Sequence, residues 1–572
     1  MTLSHCWGNE HEHIQKLTMA NYKDMTTTGI SFAKLPKSFQ DAIRLSRFLG
    51  VNYLCIDSLC IIQDSPGGQD WKEESKTMTK IYQNSRCNIA ASASTGPTLG
   101  CFYPRDPFLM HPMKITLCSA QKPDIGRETD SPDALQTYLF SNPLAWSENI
   151  EWAPLNKRAW VLQERVLSPR QLHCGHEQLL WECHEHVASE SFPATHKTYS
   201  DMAKRANRYL LDKHFRFGPD VLGMKGICIL LEDMKQLLKQ SQDTSDQDST
   251  HRRKDVRLFQ SNHTIRYKDT SSERRFPGVG GCPGSLSQKH GTDDSRVSLC
   301  RRIVDKNDEV QRCWGIIVNQ YSKCSLTFTT DKLVAIPGVA TLIQDTLQGM
   351  DIYVAGLWLS QLPTQLLWTT GGFLEKGHSL YNVAPSWSWA SLDTAVFLPQ
   401  ANHTPPPTYI NILEVYNAHT ITGQLADDNN ADTHLKLDCL LYTIKPTRLA
   451  HKSCHIITGP CKFGHSNTDH IPSLINTTGN RGDCHFIMDE NDDEPLYSSR
   501  GAYVMPIMKT KERGRTGIRG LIIVACEGKP GFFRRAGIWD MMLEGKGWSC
   551  REFWRHLDEG VPEEYRRTVT LI

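Results

Sequence analysis

The chain has 572 residues, 39% of them hydrophobic, and its 64 basic and 63 acidic residues leave a formal net charge of +1. This length predicts several domains, and the apolar content supports packed cores. The balanced charge favours neither nucleic acid nor an anionic membrane surface, so we expect no nucleic-acid partner. No apolar run approaches the about 20 residues that cross a bilayer, which predicts no membrane span.

No secretory signal is visible, because the first residues lack a basic segment followed by an apolar one. The 19 cysteines are scattered along the chain. Several of them lie in apolar, strand-like runs, where a thiol packs as a small hydrophobic group. Together these observations predict reduced thiols and a cytoplasmic protein.

Strand and helix patterns alternate over residues 1–183. In chain order they predict a strand at 2–4, a helix at 36–49 closed by Gly50, a strand at 53–56, a helix at 71–82, a strand at 88–93, a helix at 157–166, and a hairpin of strands at 170–174 and 178–183. This alternation is typical of an open parallel sheet with helices on its faces. We therefore predict an α/β fold for this region.

The rest of the chain divides into three parts by composition. Residues 184–310 have the weakest pattern, and the polar stretch 240–298 predicts a poorly structured segment. Residues 311–400 are predicted to be mainly helical, with a dense aromatic segment at 385–390. Residues 401–572 show strand patterns, so we expect a β-rich C-terminal region.

Glu74 and Asp57 are the carboxylates that the predicted elements place at the rim of a cleft. At 100° per residue Glu74 lies about 60° from Trp71, on the edge of the helix's apolar stripe, whereas Glu73 lies about 160° away, towards solvent. A carboxylate at such a rim is a catalytic candidate, and an ion pair with a Lys or Arg is the alternative. Asp57 follows a predicted strand, where parallel sheets bind ligands, or it caps the next turn.

The sequence around His5 suggests a catalytic pair in which His5 is the base and Cys6 is the nucleophilic thiolate. Adjacent residues on a strand point to opposite faces, however, so His5 cannot easily reach Cys6. The pattern therefore favours a turn in which Trp7 packs and Gly8 permits the bend. The candidates to line a ligand or cofactor cleft beside the two carboxylates are His5, Trp7 and Trp71.

A third cluster of chemically active residues lies on the predicted helix at 157–166. Trp160 shares a helical face with Gln163 and with Glu164. The pattern favours a structural helix held by an Arg–carboxylate pair, and a partner surface is the alternative. The residues of this cluster are Arg158, Trp160, Gln163, Glu164 and Arg165.

Two segments imitate metal ligands, His-Glu-His at 11–13 and Cys-x-His followed by Cys-His-x-His between 174 and 186. No C-x-x-C pair accompanies them, and Cys183 and His184 would point to opposite faces of a strand, so no metal site is predicted. No glycine-rich phosphate loop follows a predicted strand.

Three ordered blocks resemble the fungal heterokaryon-incompatibility (HET) domain. The opening motif of that domain is similar to Leu-Ser-His-Cys-Trp-Gly at 3–8. Its central block is similar to residues 53–82, which begin with Tyr-Leu-Cys-Ile-Asp. Its third block is similar to Arg-Ala-Trp-Val-Leu-Gln-Glu-Arg at 158–165. The resemblance covers residues 1–183 firmly and 310–540 loosely. Family members carry residues before the first block, so we expect a shortened first strand here. The stretch 220–305 is unlike the family and is expected to be an insertion or translated intron.

The resemblance implies a fungal protein of non-self recognition, with an innate-immune-like role in which the N-terminal domain triggers programmed cell death. It also implies protein partners and self-association. The HET domain is distantly similar to TIR domains, which implies a TIR-like open sheet and, by remote analogy, cleavage of NAD by a glutamate. NAD would then be a substrate, and no permanently bound cofactor is expected. A non-catalytic interaction module in the same pathway is the alternative, and the sequence leaves both open.

Overall fold

The structure is a computed structural model, and it describes residues 1–8, 15–110, 113–118, 135–140, 142, 144–184, 187–193, 223–245, 259–261, 264–266, 294–347, 351–370, 378–399, 408–416, 433–449, 452–460, 474–477, 484–489, 501–512, 515–542 and 566–572. The chain divides into two compact units, Met1–Cys228 and Ile229–Ile572. Among the helices in these ranges, none has the length and apolar character that a membrane crossing requires.

The N-terminal unit alternates short strands with helices. Its strands are β1 (Thr2–Ser4), β2 (Cys55–Ile56), β3 (Asn88–Ala90), β4 (Met113–Cys118), β5 (Leu135–Phe140), β6 (Arg170–Cys174), β7 (Leu179–Cys183) and β8 (Val187–Ser189). Its helices are α1 (Tyr22–Thr27), α2 (Lys37–Phe48), α3 (Asp57–Cys60), α4 (Gln69–Gln83), α5 (Pro107–Met110) and α6 (Ala159–Leu167). The next helix, α7 (Gly223–Ser245), contains the point at which the two units divide.

Six of these strands form one sheet in the order β2-β1-β3-β6-β7-β8. The first four are parallel, and β6, β7 and β8 pair antiparallel. The predicted mixed α/β fold with a parallel sheet and flanking helices is therefore confirmed. The chain leaves β1 for β2 on one side and then crosses to β3 on the other, so the connections diverge at the carboxyl end of β1. Open α/β sheets bind ligands at such a point.

The two faces of this sheet differ in chemistry. Leu3, Ile89 and Cys174 point to one face, where they pack with Phe39 of α2 in an apolar cluster. Their neighbours along the strands point to the other face, because side chains alternate along a strand. That second face is polar although it is buried, and its residues include Thr2, Ser4, Asn88, Gln171, His173 and Glu182. The sheet therefore carries a buried polar layer, which requires internal hydrogen-bond partners.

Gly50 ends α2 as the sequence predicts. Its φ of 65° is left-handed. Its N–H donates to the Arg47 carbonyl at 3.0 Å, and the Val51 N–H donates to the Ser46 carbonyl at 2.8 Å. These two hydrogen bonds form a Schellman motif, which satisfies carbonyl groups in the last turn of the helix.

We expect Gly50→Ala to destabilise the N-terminal unit by about 1 kcal/mol, because a Cβ disfavours the left-handed conformation. No heavy atom lies within 4 Å of the position that this Cβ would occupy, so the loss arises in the backbone alone. Gly50→Asn is the matched control, since asparagine tolerates this conformation and should retain most of the stability. Urea-induced unfolding measures both variants, and equal losses would contradict the stated cause.

The C-terminal unit contains most of the strands in the described parts of the chain. Its helices are α8 (Asp294–Ser322), α9 (Pro337–Thr346) and α10 (Leu362–Gln365). Its strands are β9 (Phe259–Ser261), β10 (Thr264–Arg266), β11 (Tyr353–Val354), β12 (Leu357–Trp358), β13 (Thr369–Thr370), β14 (Val396–Phe397), β15 (Asn411–Tyr416), β16 (His434–Leu440), β17 (Tyr442–Leu449), β18 (Lys452–Pro460), β19 (Leu474–Thr477), β20 (Cys484–Met488), β21 (Ala502–Glu512), β22 (Arg515–Ala525), β23 (Phe532–Met542) and β24 (Arg566–Leu571).

One large sheet organises this unit. Its strand order is β19-β18-β17-β21-β22-β23-β24-β16-β15-β10-β9, with β20 paired to β23. The strands β15 to β24 lie within the stretch 401–572, where the sequence predicts a β-rich region. The aromatic segment at 385–390 lies in a core, since Trp387 and Trp389 are both 0% exposed.

The stretch 184–310, which the sequence predicts to be poorly structured, contains regular elements in its described parts. Helix α7 buries Ile227, Leu231, Met234 and Leu238, which recur at helical spacing and form one apolar face. Strands β9 and β10 pair with each other, and α8 begins before residue 310. The segments between these elements are so polar that the composition of the whole stretch predicts disorder, although the elements themselves have apolar periodicity.

The region 311–400, predicted to be mainly helical, also contains short hairpins. Strands β11 and β12 pair antiparallel across Ala355 and Gly356, whose φ angles are 46° and 91°. Two successive positive φ angles are the geometry of a type I′ turn, which joins antiparallel strands. Apolar runs as short as these do not by themselves distinguish a buried strand from a helix.

Candidate functional site

The carboxyl ends of β1 and β2 bring together residues that are far apart in the chain. His5 and Trp7 follow β1, and Asp57 follows β2. The Trp7 indole N–H donates to Asp57 Oδ2 at 3.3 Å, and His5 Nδ1 lies 3.8 Å from Asp57 Oδ1. The Asp57 side chain is 24% exposed. We call these three residues, with Arg158 and Glu164 described below, the edge cluster.

Asp57 has a local role as well. Its Oδ1 atom accepts a hydrogen bond from the Ser58 N–H at 2.7 Å, at the start of α3. This bond reaches only the adjacent residue, and no side chain caps the start of α3, so of the two roles considered from the sequence the geometry favours the carboxylate at the sheet edge over a cap for the next turn.

His5 is buried and uncharged at neutral pH. Only 1% of its side chain is exposed, and its ring packs edge-on against Phe39 with 4.9 Å between centroids. Burial lowers the pKa of His5 to about 4, because the attraction of Asp57 does not offset the loss of solvent. The 3.8 Å contact with Asp57 is therefore not an ion pair at pH 7, and it is too long for a hydrogen bond. Among the described groups, His5 Nε2 has no hydrogen-bond partner.

Cys6 belongs to a different environment from His5. It packs with Ala90, Leu155 and Val161, and burial raises the pKa of its thiol. A protonated thiol on the opposite side from His5 is not an activated nucleophile. The geometry therefore favours the turn interpretation, and Gly8, with a φ of 80°, supplies the bend.

Glu164 is the buried carboxyl of the edge cluster. It is 8% exposed, and the hydroxyl of Ser4 donates a hydrogen bond to it. Burial raises the pKa of Glu164 to about 7 and the charge of Asp57 adds to this effect, while Ser4, Arg158 and Tyr82 oppose it. Glu164 therefore holds its proton to a higher pH than an ordinary glutamate. The carboxyls of Asp57 and Glu164 lie in different environments, one partly exposed and one buried. Such a difference is typical of sites in which one carboxyl is ionised and the other can hold a proton.

Arg158 ties the start of α6 to the end of β1. Its guanidinium donates to the carbonyl oxygen of His5. Two residues further on, Trp160 packs edge-on against Trp71 of α4, with 6.0 Å between ring centroids. This contact holds α4 against α6, so it favours a packing role for Trp71 over the ligand-binding role predicted from the sequence.

Arg165 belongs to a second buried network, on the polar face of the sheet. Its guanidinium donates to both oxygens of Glu182, at 2.9 and 3.3 Å. Glu182 Oε2 lies 2.9 Å from His173 Nε2, and His173 Nδ1 lies 3.1 Å from the Ser92 hydroxyl oxygen. Arg165 is 5% exposed and the other three residues are 0% exposed. The Arg–carboxylate pair expected in this block thus joins α6 to β7.

The third sequence block lies mostly inside the unit. Gln163 is 4% exposed, and its neighbours Glu164 and Arg165 are similarly buried. This burial favours the structural interpretation of the block over a partner surface. The sequence did not single out Tyr82, His173 or Glu182. The one local signal is in β7, where Glu182 lies on the same inward face as buried Leu180, and an inward carboxylate requires a partner.

Glu74, the first catalytic candidate from the sequence, lies half-buried on α4. Its carboxylate accepts a hydrogen bond from the Thr77 hydroxyl at 3.1 Å. The charges of Glu74 and Asp57 both act on the Cys60 thiol, so both carboxylates lie near that residue. Glu73 is exposed, as its position on the helix predicts.

The described residues contain no group of three His, Cys, Asp or Glu side chains that could hold a metal ion. The segment 11–13 and His186, which imitate metal ligands in the sequence, lie outside those residues.

Residues 1–164 match the family model described as Heterokaryon incompatibility protein (HET). No curated protein matches the chain, and no solved structure matches it. The match includes all five residues of the edge cluster. Residues 1–164 are therefore a HET domain, which supports involvement of this protein in heterokaryon incompatibility, a fungal process.

Proposed function

We propose that this HET domain is the cell-death effector of a fungal non-self-recognition protein and that it cleaves NAD. The observation that carries the proposal is the edge cluster, in which the solvent-open carboxylate of Asp57 lies near the buried carboxyl of Glu164. The strand order β2-β1-β3 supports it, because open parallel sheets of this order bind nucleotide cofactors at the carboxyl end of the first strand. The distant likeness to TIR domains, argued from the sequence blocks, points to the same chemistry by analogy.

The proposed reaction breaks the bond between C1′ of one ribose of NAD and the nicotinamide nitrogen. The nicotinamide ring is positively charged in NAD, so it takes the bonding electrons and leaves as a neutral molecule without being protonated. The Asp57 carboxylate stabilises the oxocarbenium ion that develops on the ribose. Water then adds to C1′ and releases a proton to the solvent, which leaves ADP-ribose as the second product.

The neighbours of Asp57 have supporting roles in this proposal. The Trp7 indole N–H orients the carboxylate through its 3.3 Å hydrogen bond. The Lys16 ammonium lies 5.3 Å from the centroid of the Trp7 ring, where it supplies a positive charge for the diphosphate of NAD. Glu164 is a positioning residue, because its partial protonation limits the negative charge beside Asp57.

We expect Asp57→Asn and Glu74→Gln each to reduce nicotinamide release by about 100-fold or more, which is the loss typical of removing a positioned acid, base or charge-stabilising group. Glu74 is included because it shares the surroundings of Cys60 with Asp57. The assay uses the purified full chain, clustered through a fused dimerisation tag, and follows nicotinamide by chromatography. Glu73→Gln is the matched control, since Glu73 is the exposed neighbour on the same helix and should leave the rate unchanged.

A folded, clustered wild-type chain that releases no nicotinamide would contradict the proposal. That outcome would favour the alternative, a non-catalytic module that recruits protein partners in the same pathway. Equal losses in Glu73→Gln and Glu74→Gln would argue against a specific role for Glu74. Circular dichroism of every variant separates a loss of chemistry from a loss of fold.

A further inference from the structure

Four buried polar residues form a line of hydrogen bonds on the polar face of the N-terminal sheet. Thr2 and Ser4 of β1 share this face, because side chains two residues apart on a strand point the same way, and Asn88 of β3 lies opposite Thr2. The Thr2 hydroxyl donates to Asn88 Oδ1 at 2.9 Å, and Asn88 Nδ2 donates to Ser4 Oγ at 2.9 Å. The Ser4 hydroxyl donates to Glu164 Oε2. We call these four residues the Asn88 network.

The chemistry of the groups sets the direction of the bond that reaches Glu164. The Asn88 Nδ2 atom carries donors only, so Ser4 Oγ accepts at that contact. A serine hydroxyl has one proton, and this proton is therefore left to be donated to Glu164. Ser4 and Asn88 are 2% and 0% exposed, so bulk water does not compete for either contact. Asn88 thus acts on the carboxyl through the Ser4 hydroxyl.

We propose that Asn88 is a positioning residue of the edge cluster, which orients the Ser4 hydroxyl towards Glu164 and so favours the ionised form of that carboxyl. A hydroxyl that donates to a carboxylate stabilises the charged form. Its donation becomes stronger when its own oxygen accepts a hydrogen bond, because successive hydrogen bonds polarise one another. The Asn88 amide therefore opposes the effect of burial, which is the main reason that the pKa of Glu164 is raised to about 7.

The other groups that act on Glu164 lie outside the Asn88 network, so a substitution at Asn88 leaves them in place. They come from several elements of the N-terminal unit. They are Asp57 at the start of α3, whose charge raises the pKa of Glu164, Arg158 before α6 and Tyr82 of α4, which lower it, and Cys6 after β1, whose thiol pKa is raised by burial and to a smaller extent by Glu164.

The charge beside Asp57 links the Asn88 network to the proposed reaction. An ionised Glu164 adds a negative charge near Asp57 and a protonated Glu164 does not, so Asn88 helps to set the field in which the Asp57 carboxylate acts. An effect of this field on NAD cleavage rests on the proposed function. The orientation of the Ser4 hydroxyl and its effect on the Glu164 proton do not.

The test is a double-mutant cycle on the full chain, in which infrared spectra report the pKa of Glu164. The carboxylic acid band that is lost in Glu164→Gln belongs to this residue, and its intensity is followed between pH 5 and pH 9. We expect Ser4→Ala to raise the pKa of Glu164 by about 1, since it removes a hydrogen bond to a charged group. Asn88→Leu should raise it by about 0.5, because the hydroxyl remains but is no longer oriented. An unchanged pKa in Asn88→Leu would overturn the proposal.

The second half of the cycle separates positioning from a general disturbance of the fold. In the Ser4→Ala background, Asn88→Leu should leave the pKa of Glu164 unchanged, because the hydroxyl that Asn88 orients is absent. An equal shift in both backgrounds would show that Asn88 acts on the carboxyl without Ser4, and this result would also overturn the proposal.

A measurement on the wild type decides the matter if Asn88→Leu does not fold. The side-chain amide protons of Asn88, observed by NMR in the full chain with isotope-labelled asparagine, should shift as Glu164 titrates and should lose this shift in Glu164→Gln. Amide resonances with the same pH dependence in both proteins would contradict the proposed network. Neither readout involves nicotinamide, so failure of NAD cleavage and failure of this proposal are distinguishable.

Discussion

Replacing Arg165 by methionine is expected to destabilise the N-terminal unit by about 3–5 kcal/mol, the typical cost of breaking a buried ion pair from one side. The change leaves the Glu182 carboxylate without its cationic partner at a position that is 0% exposed. His173 would still contact Glu182 at 2.9 Å, but one imidazole does not replace a guanidinium that contacts both carboxylate oxygens. The free energy of opening, from hydrogen exchange of peptides covering 170–183, measures the loss.

Two further variants test this explanation. Arg170→Met is the matched control, because Arg170 is exposed on the neighbouring strand β6 and its loss should change stability by less than about 0.5 kcal/mol. The double variant Arg165→Met with Glu182→Leu removes both charges and should recover part of the stability, since the cost of the single change lies in the uncompensated carboxylate. A double variant no more stable than Arg165→Met would contradict this account.

Replacing Glu164 by glutamine should increase stability at high pH and leave it nearly unchanged at low pH. The pKa of Glu164 is raised from its ordinary 4.5 to about 7, so between these values the folded chain binds more protons than the unfolded chain. Stability therefore falls as the pH rises through this window. Each pH unit corresponds to about 1.4 kcal/mol, and glutamine, which does not ionise, avoids the loss. We expect Glu164→Gln to be more stable than the wild type by about 3 kcal/mol at pH 8 and roughly equal at pH 4.5.

The difference between the two proteins must be followed across pH, because another group titrates in the same range. The pKa of His5 is lowered from 6.5 to about 4, so its contribution to stability is lost as the pH falls through that range, which is the opposite slope. This contribution is present in both proteins and cancels in their difference. Urea-induced unfolding at pH 4.5, 6 and 8 gives the comparison, with Glu73→Gln as the exposed control. A stability difference that does not vary with pH would refute the assignment of the titration to Glu164.

Five strands of the six-stranded sheet and the helices α2, α4 and α6 are predicted from local pattern, whereas β4, β5, β8, α1 and α5 are not. The strand at Thr2–Ser4 and the helix at Lys37–Phe48 follow from apolar periodicity, and Gly50 follows from the backbone conformation that a helix end requires. The position of Asp57 at the sheet edge, beside the residues that follow β1, could also be predicted, because the carboxyl ends of parallel strands meet at one edge of a sheet. The HET resemblance depends on the same short segments, so it too can be recognised from the order of residues alone.

The partners of these residues could not be predicted in the same way. Glu164 rather than Glu74 is the carboxyl held between Ser4 and Tyr82, and Arg165 pairs with Glu182 of a different strand. Helix α6 looks like an ordinary amphipathic helix in the sequence, and nothing local shows that it lies on the polar face of the sheet.

The sequence by itself therefore determined the HET resemblance of residues 1–164, the alternation of helices and strands around the parallel sheet, and the strand ends at which His5 and Asp57 lie. Only the tertiary structure decided which charged and polar groups are buried together, and hence which groups have shifted pKa values. The physical reason is that periodicity depends on neighbours within a few residues, which share one helix turn or one strand pleat. The pKa of Glu164 depends instead on desolvation, on the charges of Asp57 and Arg158, and on the hydroxyls of Ser4 and Tyr82, and these surround it only when the sheet has formed.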